Sequence, residues 1–341
     1  MRIQVEEFVE VSQNIPVLDV RSPGEFHKGH IPGAYSFPLF SDTERAEIGT
    51  LYKQVGQEQA MERGLEIVSP KIKDMVVEAK DLAHEGRLMV HCWRGGLRSE
   101  SVANLLKVAG IQVNVLNGGY KAYRQWVLGK FEEDFDIRVL GGMTGSGKTE
   151  VLHQLLGRGE AVIDLEAIAN HRGSAFGRLG LSEGRITQAQ FENEFANQLL
   201  LNKGRTIWME DESRQIGSLI IPGSVWEQML TAPFFFLDAT FEYRVARLLE
   251  DYGHFQPSQI EGAIDRIKKR LGGLRHQQAT TLLEQDERED LVKMLLGYYD
   301  QSYRHSMQQR SSDTQIKIDP EVGQLPEQLI ALAEQKKKDP A

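Results

Sequence analysis

At 341 residues the chain has length for roughly two domains, each able to bury a core of its own. A hydrophobic share of 40% and a charged share of 26% fit an ordinary globular protein, and a single cysteine excludes an internal disulfide framework and a multi-cysteine zinc site. A net charge of -9 argues against nucleic acid wrapped along the whole surface but leaves room for a local basic patch.

The opening MRIQVEEFVE lacks a basic stretch followed by an apolar run, and no segment reaches the ~20 apolar residues of a membrane span. With a lone thiol suited to a reducing compartment, a cytoplasmic protein is expected. Over the first 130 residues, PVLDV (16–20), AYSFP (34–38), LMVHC (88–92) and QVNVL (112–116) read as short strands. Apolar spacing predicts helices over 70–85 and 99–109. This alternation implies an α/β domain with a mostly parallel sheet. The acidic FEEDFD (131–136) marks a boundary, giving domains 1–132 and 133–341. In the second, DIRVLGG, EAVIDL, RTIWMED, PFFFLDA and TQIKID read as strands of another α/β sheet, with helices over 148–157, 187–202, 241–252, 258–271 and 279–308. The closing EQKKKDPA reads as a frayed charged tail.

Two glycine-rich loops carry chemistry. In HCWRGGLRS (91–99), Cys92 ends a strand while Arg98 and Ser99 open a helix. Between them Trp93, Arg94, Gly95 and Gly96 can curl into a ring of backbone N–H groups. The helix dipole with Arg94 and Arg98 should lower the thiol pKa, and Arg98 can grip an oxyanion with two N–H groups. Trp93, beside the thiol, either stacks on a base or packs the loop against the core.

In GGMTGSGKTE, Gly142-x4-Gly147-Lys148-Thr149 satisfies the phosphate-loop pattern, after the strand IRVLG and before the helix TEVLHQLL. Gly142, Gly145, Ser146 and Gly147 would turn N–H groups onto phosphate oxygens. Lys148 would reach the terminal phosphate and Thr149 would ligate a metal, with magnesium the candidate. Glu210 and Asp211, ending TIWMED, suit an acid that holds metal or water, unless Glu210–Glu212 is merely a polar strand end. The guanine-reading N-K-x-D is missing, since Asn202-Lys203-Gly204-Arg205 lacks the aspartate, which favours a small-molecule site over a regulatory GTPase.

DLEAIANHRGSAFG (164–177) contributes Asp164, His171 and Arg172, and EDESRQIG (210–217) contributes Ser213 and Arg214. Arg172 and Arg214 could clamp phosphate or RNA backbone, against the plainer alternative of surface ion pairs. DRIKKRLGGLRH (265–276) clusters Arg266, Lys268, Lys269, Arg270 and Arg275, which charge alone would read as a solvated helix face.

His-Cys-x5-Arg-Ser by itself also matches the cysteine phosphatase signature. LDVRSPGEFHKGHIPGA (18–34) and LNGGYKAYRQW (116–126) discriminate, because they resemble the rhodanese family of sulfurtransferases over about the first 130 residues. The Cys loop is one residue longer than in single-domain rhodaneses, which leaves room for an anion larger than thiosulfate. CWRGGLRS, GGMTGSGKTE, DLEAIANHRGSAFG and WMEDESRQIG, in this order, make nearly the whole chain resemble the tRNA 2-selenouridine synthase family.

That resemblance implies an N-terminal rhodanese-like domain and a C-terminal P-loop kinase-like domain. It implies conversion of wobble 2-thiouridine in tRNA to 2-selenouridine, with geranyl diphosphate and selenophosphate as co-substrates. Cys92, Arg98 and Lys148 would be catalytic, and the Gly142–Thr149 loop would hold diphosphate. The anticodon arm would meet Lys268, Lys269 and Arg270, with Arg172 and Arg214 nearer the base. The acid or base is open among Asp164, His171, Glu210 and Asp211, and so is the oligomeric state. One rival is a cysteine-dependent phosphatase or sulfurtransferase fused to a small-molecule kinase. Another is a non-enzymatic P-loop regulator with a degenerate rhodanese, against which the intact Cys92, Arg98 and Lys148 count.

Overall fold

The computed structural model describes residues 1–171, 176, 184–307, 315–320 and 325–338. They divide into two compact units, Met1–Lys130 with Glu192–Ala196, and Phe131–Phe191 with Asn197–Ala341.

In the first unit, strands β1 (Arg2–Ile3), β2 (Val17–Asp19), β3 (Tyr35–Ser36), β4 (Arg87–His91) and β5 (Gln112–Leu116) form one parallel sheet in the order β1-β5-β4-β2-β3. Leu18, Leu88, Met89 and Val90 are fully buried, as short apolar strands covered on both faces require. The four strands expected from apolar runs are present. The two-residue β1 is too short to carry a periodic signal. Helices Ile72–Leu82 and Leu97–Val108 fill the two expected stretches. Helices Asp42–Gln54 and Gln57–Val68 were not anticipated: the first buries no residue fully and the second only Ala60 and Gly64, while Ile48, Ile67 and Val68 rest partly buried against the core. A third unanticipated helix, Gly119–Lys130, follows β5.

In the second unit, strands β6 (Ile137–Gly142), β7 (Ala161–Ile163), β8 (Ile207–Glu210), β9 (Gln215–Ile216), β10 (Leu219–Ile220), β11 (Phe234–Leu237) and β12 (Gln315–Ile318) are described. Five of them make a parallel sheet in the order β12-β11-β6-β8-β7, and β9 and β10 form a small antiparallel ribbon. Strand β6 is central and buried throughout, so the loop leaving its carboxyl end lies where open α/β sheets hold ligands. Leu140, Leu152, Leu155, Trp208 and Phe235 fill the core on that sheet.

Two expectations need correction here. The helix expected over 279–308 is two helices, Gly273–Glu284 and Arg288–Met307. Asp286 between them stands at φ 57°, a left-handed conformation that aspartate tolerates better than most residues. The tail expected to fray from Glu334 is helical up to Lys338, because helix Leu325–Lys338 plants Leu325, Leu329 and Ala333 in the core; the residues beyond lie outside those described. A satellite core of Ile260, Ile264, Ile267, Leu271, Ala279, Leu283, Leu291 and Leu295 joins the three helices of 257–307. Among the described residues no helix is long and apolar enough to cross a membrane.

Candidate active site

Strand β4 delivers His91, the chain reverses through Cys92–Gly96, and helix Leu97–Val108 begins. The Asn117-Gly118-Gly119 turn presses on this reversal. A Cβ at Gly119, at φ +62°, would lie 2.4 Å from both the Cys92 carbonyl oxygen and the Gly95 nitrogen, so no other residue fits. Tyr120 N–H donates to the Cys92 carbonyl (2.8 Å) and Lys121 N–H to that of Trp93 (3.0 Å). Two motifs that are separate in sequence are thus one packed object.

Cys92 is only 3% exposed, with its Sγ 3.2 Å from Ser99 Oγ. Burial pushes its thiol pKa up. The Ser99 hydroxyl, the backbone N–H groups of Ser99 and Arg94, and the Arg98 charge outweigh burial and leave it lowered. Arg94 is exposed and acts on the sulfur through its backbone N–H. Arg98 is held by a carboxylate: its Nη1 lies 2.7 Å from Glu25 Oε2, and Arg45 stands 3.6 Å from the same group. Burial raises the Glu25 pKa, but the Arg98 hydrogen bond and charge bring it below the usual range. A Ser22–Glu25 capping box with Pro23 at the first helical position fixes Glu25.

The Asp19-Val20-Arg21 motif underlies this arrangement. Arg21 donates from its backbone N (3.0 Å) and Nε (2.9 Å) to Asp19, and from Nη2 to the Gly29 carbonyl (2.7 Å). Its guanidinium lies 3.8 Å over the Tyr120 ring. Asp19 and Arg21 are both buried, so this pair ties β2 to the Gly29–Ala34 turn as scaffold. Trp93 is 39% exposed and 5.8 Å from the Tyr120 ring, which leaves indole surface accessible to a base.

In the second unit, Gly147 at φ +88° starts helix Lys148–Gly157, a backbone only glycine adopts freely. Lys148 Nζ donates to the Gly142 carbonyl (3.0 Å). The Ser146 hydroxyl is buried, and has no hydrogen-bond partner among the described residues. Helix Phe241–Tyr252 clamps the loop: Arg244 Nη1 donates to the Thr144 carbonyl (3.3 Å), and Nη1 and Nη2 fork onto the Asp300 carboxylate at 2.7 and 2.8 Å. Tyr303 Oη accepts from Gly142 N–H (3.1 Å) and donates to Asp211 (2.7 Å). Sequence reasoning missed Arg244, Asp300 and Tyr303, which sit in ordinary helical runs without a motif.

Of the acids named from sequence, Asp164 caps a helix by accepting from Ala167 N–H (2.8 Å) and lies 3.1 Å from His153. Asp211 is engaged by Tyr303. Glu210, at the end of β8, instead converges with Glu166 and Glu212, which were not named as site residues although Glu166 lies two residues from Asp164 and Glu212 adjoins Asp211. One oxygen of each of the three carboxylates lies within 4.8 Å of the others. Burial, then repulsion from Glu210 and Glu212, pushes Glu166 up to about 10; burial, then Glu210, pushes Glu212 up to about 8. Burial also raises Glu210, against the pull of Lys148 and the Thr149 hydroxyl. Glu210 Oε1 is buried with no hydrogen-bond partner among the described residues. Three hard oxygen donors, one of them orphaned, beside the Thr149 hydroxyl fit a magnesium-sized cation.

Lys148, Glu210, Ser213, Arg214 and Arg270 line one cavity of about 1280 Å³, together with Trp226, Leu230, Leu248, Tyr252 and Tyr299. Ser213 donates to the Gln215 carbonyl (2.6 Å). His171 donates its backbone N–H to the Glu166 carbonyl (3.0 Å) and packs its ring against the Gly217 turn. Arg172 lies outside the described residues. Lys268, Lys269 and Arg270 are exposed on the last turn of helix Pro257–Leu271, opposite its buried isoleucines, and of the three Arg270 reaches the cavity.

Residues 135–324 match the family model described as the tRNA 2-selenouridine synthase AAA domain, and residues 4–125 match the rhodanese-like domain. A tRNA 2-selenouridine synthase of Pseudomonas syringae pv. tomato is 38% identical over 337 aligned residues, covering 88% of this chain and 90% of the relative. Relatives of the same name from Pseudomonas fluorescens Pf0-1 (40% identical; 84% and 83% covered) and Marinobacter nauticus (34%; 94% and 96%) agree. With both loops intact and near-complete coverage of these relatives, the chain belongs to the tRNA 2-selenouridine synthase family.

Proposed function

We propose that this protein is a tRNA-modifying transferase of the cytoplasm that converts wobble 2-thiouridine to 2-selenouridine, through S-geranylation from geranyl diphosphate and then selenium transfer from selenophosphate. The observation that carries this reading is the single cavity in which the phosphate loop shares its walls with Trp226, Leu230, Leu248 and Tyr252. That combination suits an anion with an apolar tail.

In the first step the thiouridine sulfur attacks C1 of the geranyl group. The C1–O bond breaks with its electron pair leaving on diphosphate, and the base loses its N3 proton. Lys148 and the N–H groups of the loop stabilise the departing charge. A magnesium ion held by Glu166, Glu210, Glu212 and Thr149 would add positive charge there. In the second step selenophosphate selenium attacks C2, the geranyl thiolate leaves, and water cleaves the Se–P bond to release phosphate. The Cys92 loop would hold selenophosphate, with Cys92 either as the nucleophile that carries selenium or as an assisting thiolate. The tRNA would enter along Lys268, Lys269 and Arg270.

Nucleoside mass spectrometry of tRNA, with selenium supplied, tests both steps. Lys148→Ala should lose geranylthiouridine and selenouridine together, whereas Cys92→Ser should accumulate the geranylated form. Undiminished geranyl transfer in Lys148→Ala would sink the diphosphate assignment, and normal selenouridine in Cys92→Ser would remove the thiol from the pathway. The phosphatase–kinase rival predicts instead that the wild type hydrolyses a generic aryl phosphate.

A further inference from the structure

Arg247 sits where its charge alone would not place it. It lies on helix Phe241–Tyr252, and its guanidinium rests against the first turn of helix Lys148–Gly157: a Cβ built on Gly147 would be 3.4 Å from Arg247 Cζ and Nη1. A helix N-terminus carries partial positive charge, and Lys148 adds a full one, so a further cation there is disfavoured unless an anion compensates. The compensating group is Glu150, whose Oε2 lies 2.6 Å from Arg247 Nη1. Glu150 is 51% exposed and shares its other oxygen with Gln154 (3.2 Å), so solvent screens this pair. Arg244, three residues earlier, is buried and forked onto Asp300, and so belongs to the scaffold. The same helix thus presents one committed arginine and one held by an exchangeable carboxylate and by the Tyr243 side chain on its own helix. The orphaned hydroxyl of buried Ser146 shows that the loop's own hydrogen bonding is also incomplete.

We propose that Arg247 is a diphosphate-binding residue that exchanges the Glu150 carboxylate for phosphate oxygens when an organic diphosphate enters the cavity. Glu150 is then a competitor that weakens binding and keeps Arg247 positioned over the loop. This rests on the reading that the Gly142–Thr149 loop binds diphosphate.

Calorimetric titration of the full-length protein with inorganic pyrophosphate and magnesium tests the proposal. Arg247→Ala should weaken binding about tenfold or more, the scale of removing a charge-assisted hydrogen bond. Arg247→Lys should recover part of the loss, because an ammonium cannot bridge two oxygens in a plane. Glu150→Gln should tighten binding several-fold, and this gain should vanish in the Arg247→Ala background. Wild-type affinity in Arg247→Ala would overturn the proposal, as would a Glu150→Gln gain that persists without Arg247, since Glu150 would then act as plain negative charge. Lys148→Ala separates the two levels. If it keeps full affinity the diphosphate reading itself fails. If it loses affinity while Arg247→Ala does not, only the role of Arg247 fails. Arg247 is 24% exposed and Arg247→Lys keeps its charge, so the lysine variant and Glu150→Gln report on binding even where the alanine variant is damaged.

Discussion

Arg244→Met should unfold the second unit at markedly lower temperature. Arg244 is 4% exposed and its fork onto Asp300, 9% exposed, at 2.7 and 2.8 Å is closed to water. Removing the guanidinium leaves a buried carboxylate without a partner, which costs about 3–5 kcal/mol. Removing the hydrogen bond to the Thr144 carbonyl adds about 1 kcal/mol. In a domain of ~200 residues each kcal/mol is worth about 2–4 °C, so the transition should fall by roughly 8–24 °C. Scanning calorimetry would follow it, with the first unit's transition as an internal reference. The double variant Arg244→Met/Asp300→Leu should regain most of the loss, because two apolar groups replace the pair without stranding a charge. If the single variant moves by less than ~2 °C, or the double is no better than the single, the buried pair is not what clamps helix Phe241–Tyr252 to the phosphate loop.

The remaining predictions concern the thiol, the carboxylates and the basic face. Ser99→Ala should move the pH midpoint of iodoacetamide alkylation of Cys92 upward, since it removes the hydroxyl that favours the thiolate and keeps the backbone N–H; an unmoved midpoint would contradict that role. Glu166 and Glu212 stand at about 10 and about 8, above the ordinary ~4.3, so the fold favours their protonated forms. Their stabilising contribution is complete below pH ~4.3 and is lost as pH rises toward 8–10, by about 1–3 kcal/mol after allowing for their partial exposure. Thermal stability measured in chelator should therefore decline from pH 6 to 9, magnesium should restore it, and Glu166→Gln should flatten the slope; an unchanged slope in that variant would count against the cluster. Neutralising Lys268, Lys269 and Arg270 together should reduce the log–log salt slope of tRNA binding by about 0.7–0.9 for each phosphate that these side chains neutralise; an unaltered slope would move the RNA surface elsewhere.

What the sequence by itself determined was local and contiguous. Parallel-sheet strands are continuous apolar runs, and both anion loops are glycine patterns closed within about ten residues, so β2, β4, β6, β8 and β11 and the positions of Cys92 and Lys148 could be read before any packing was known. Tertiary structure alone decided the partners. Glu25 meets Arg98 across 73 residues, Arg244 meets Asp300 across 56, and Tyr303 meets Gly142 across 161. No periodicity encodes such pairs, because a charged residue in a helical run looks the same whether solvent or another element faces it. The acids show the same limit. Sequence placed carboxylates at the ends of β7 and β8, but backbone direction after each strand turned Glu166, Glu210 and Glu212 together and sent Asp164 to a helix cap and Asp211 to Tyr303. A shift of one position along an extended chain reverses where a side chain points, and only the packed sheet fixes that direction.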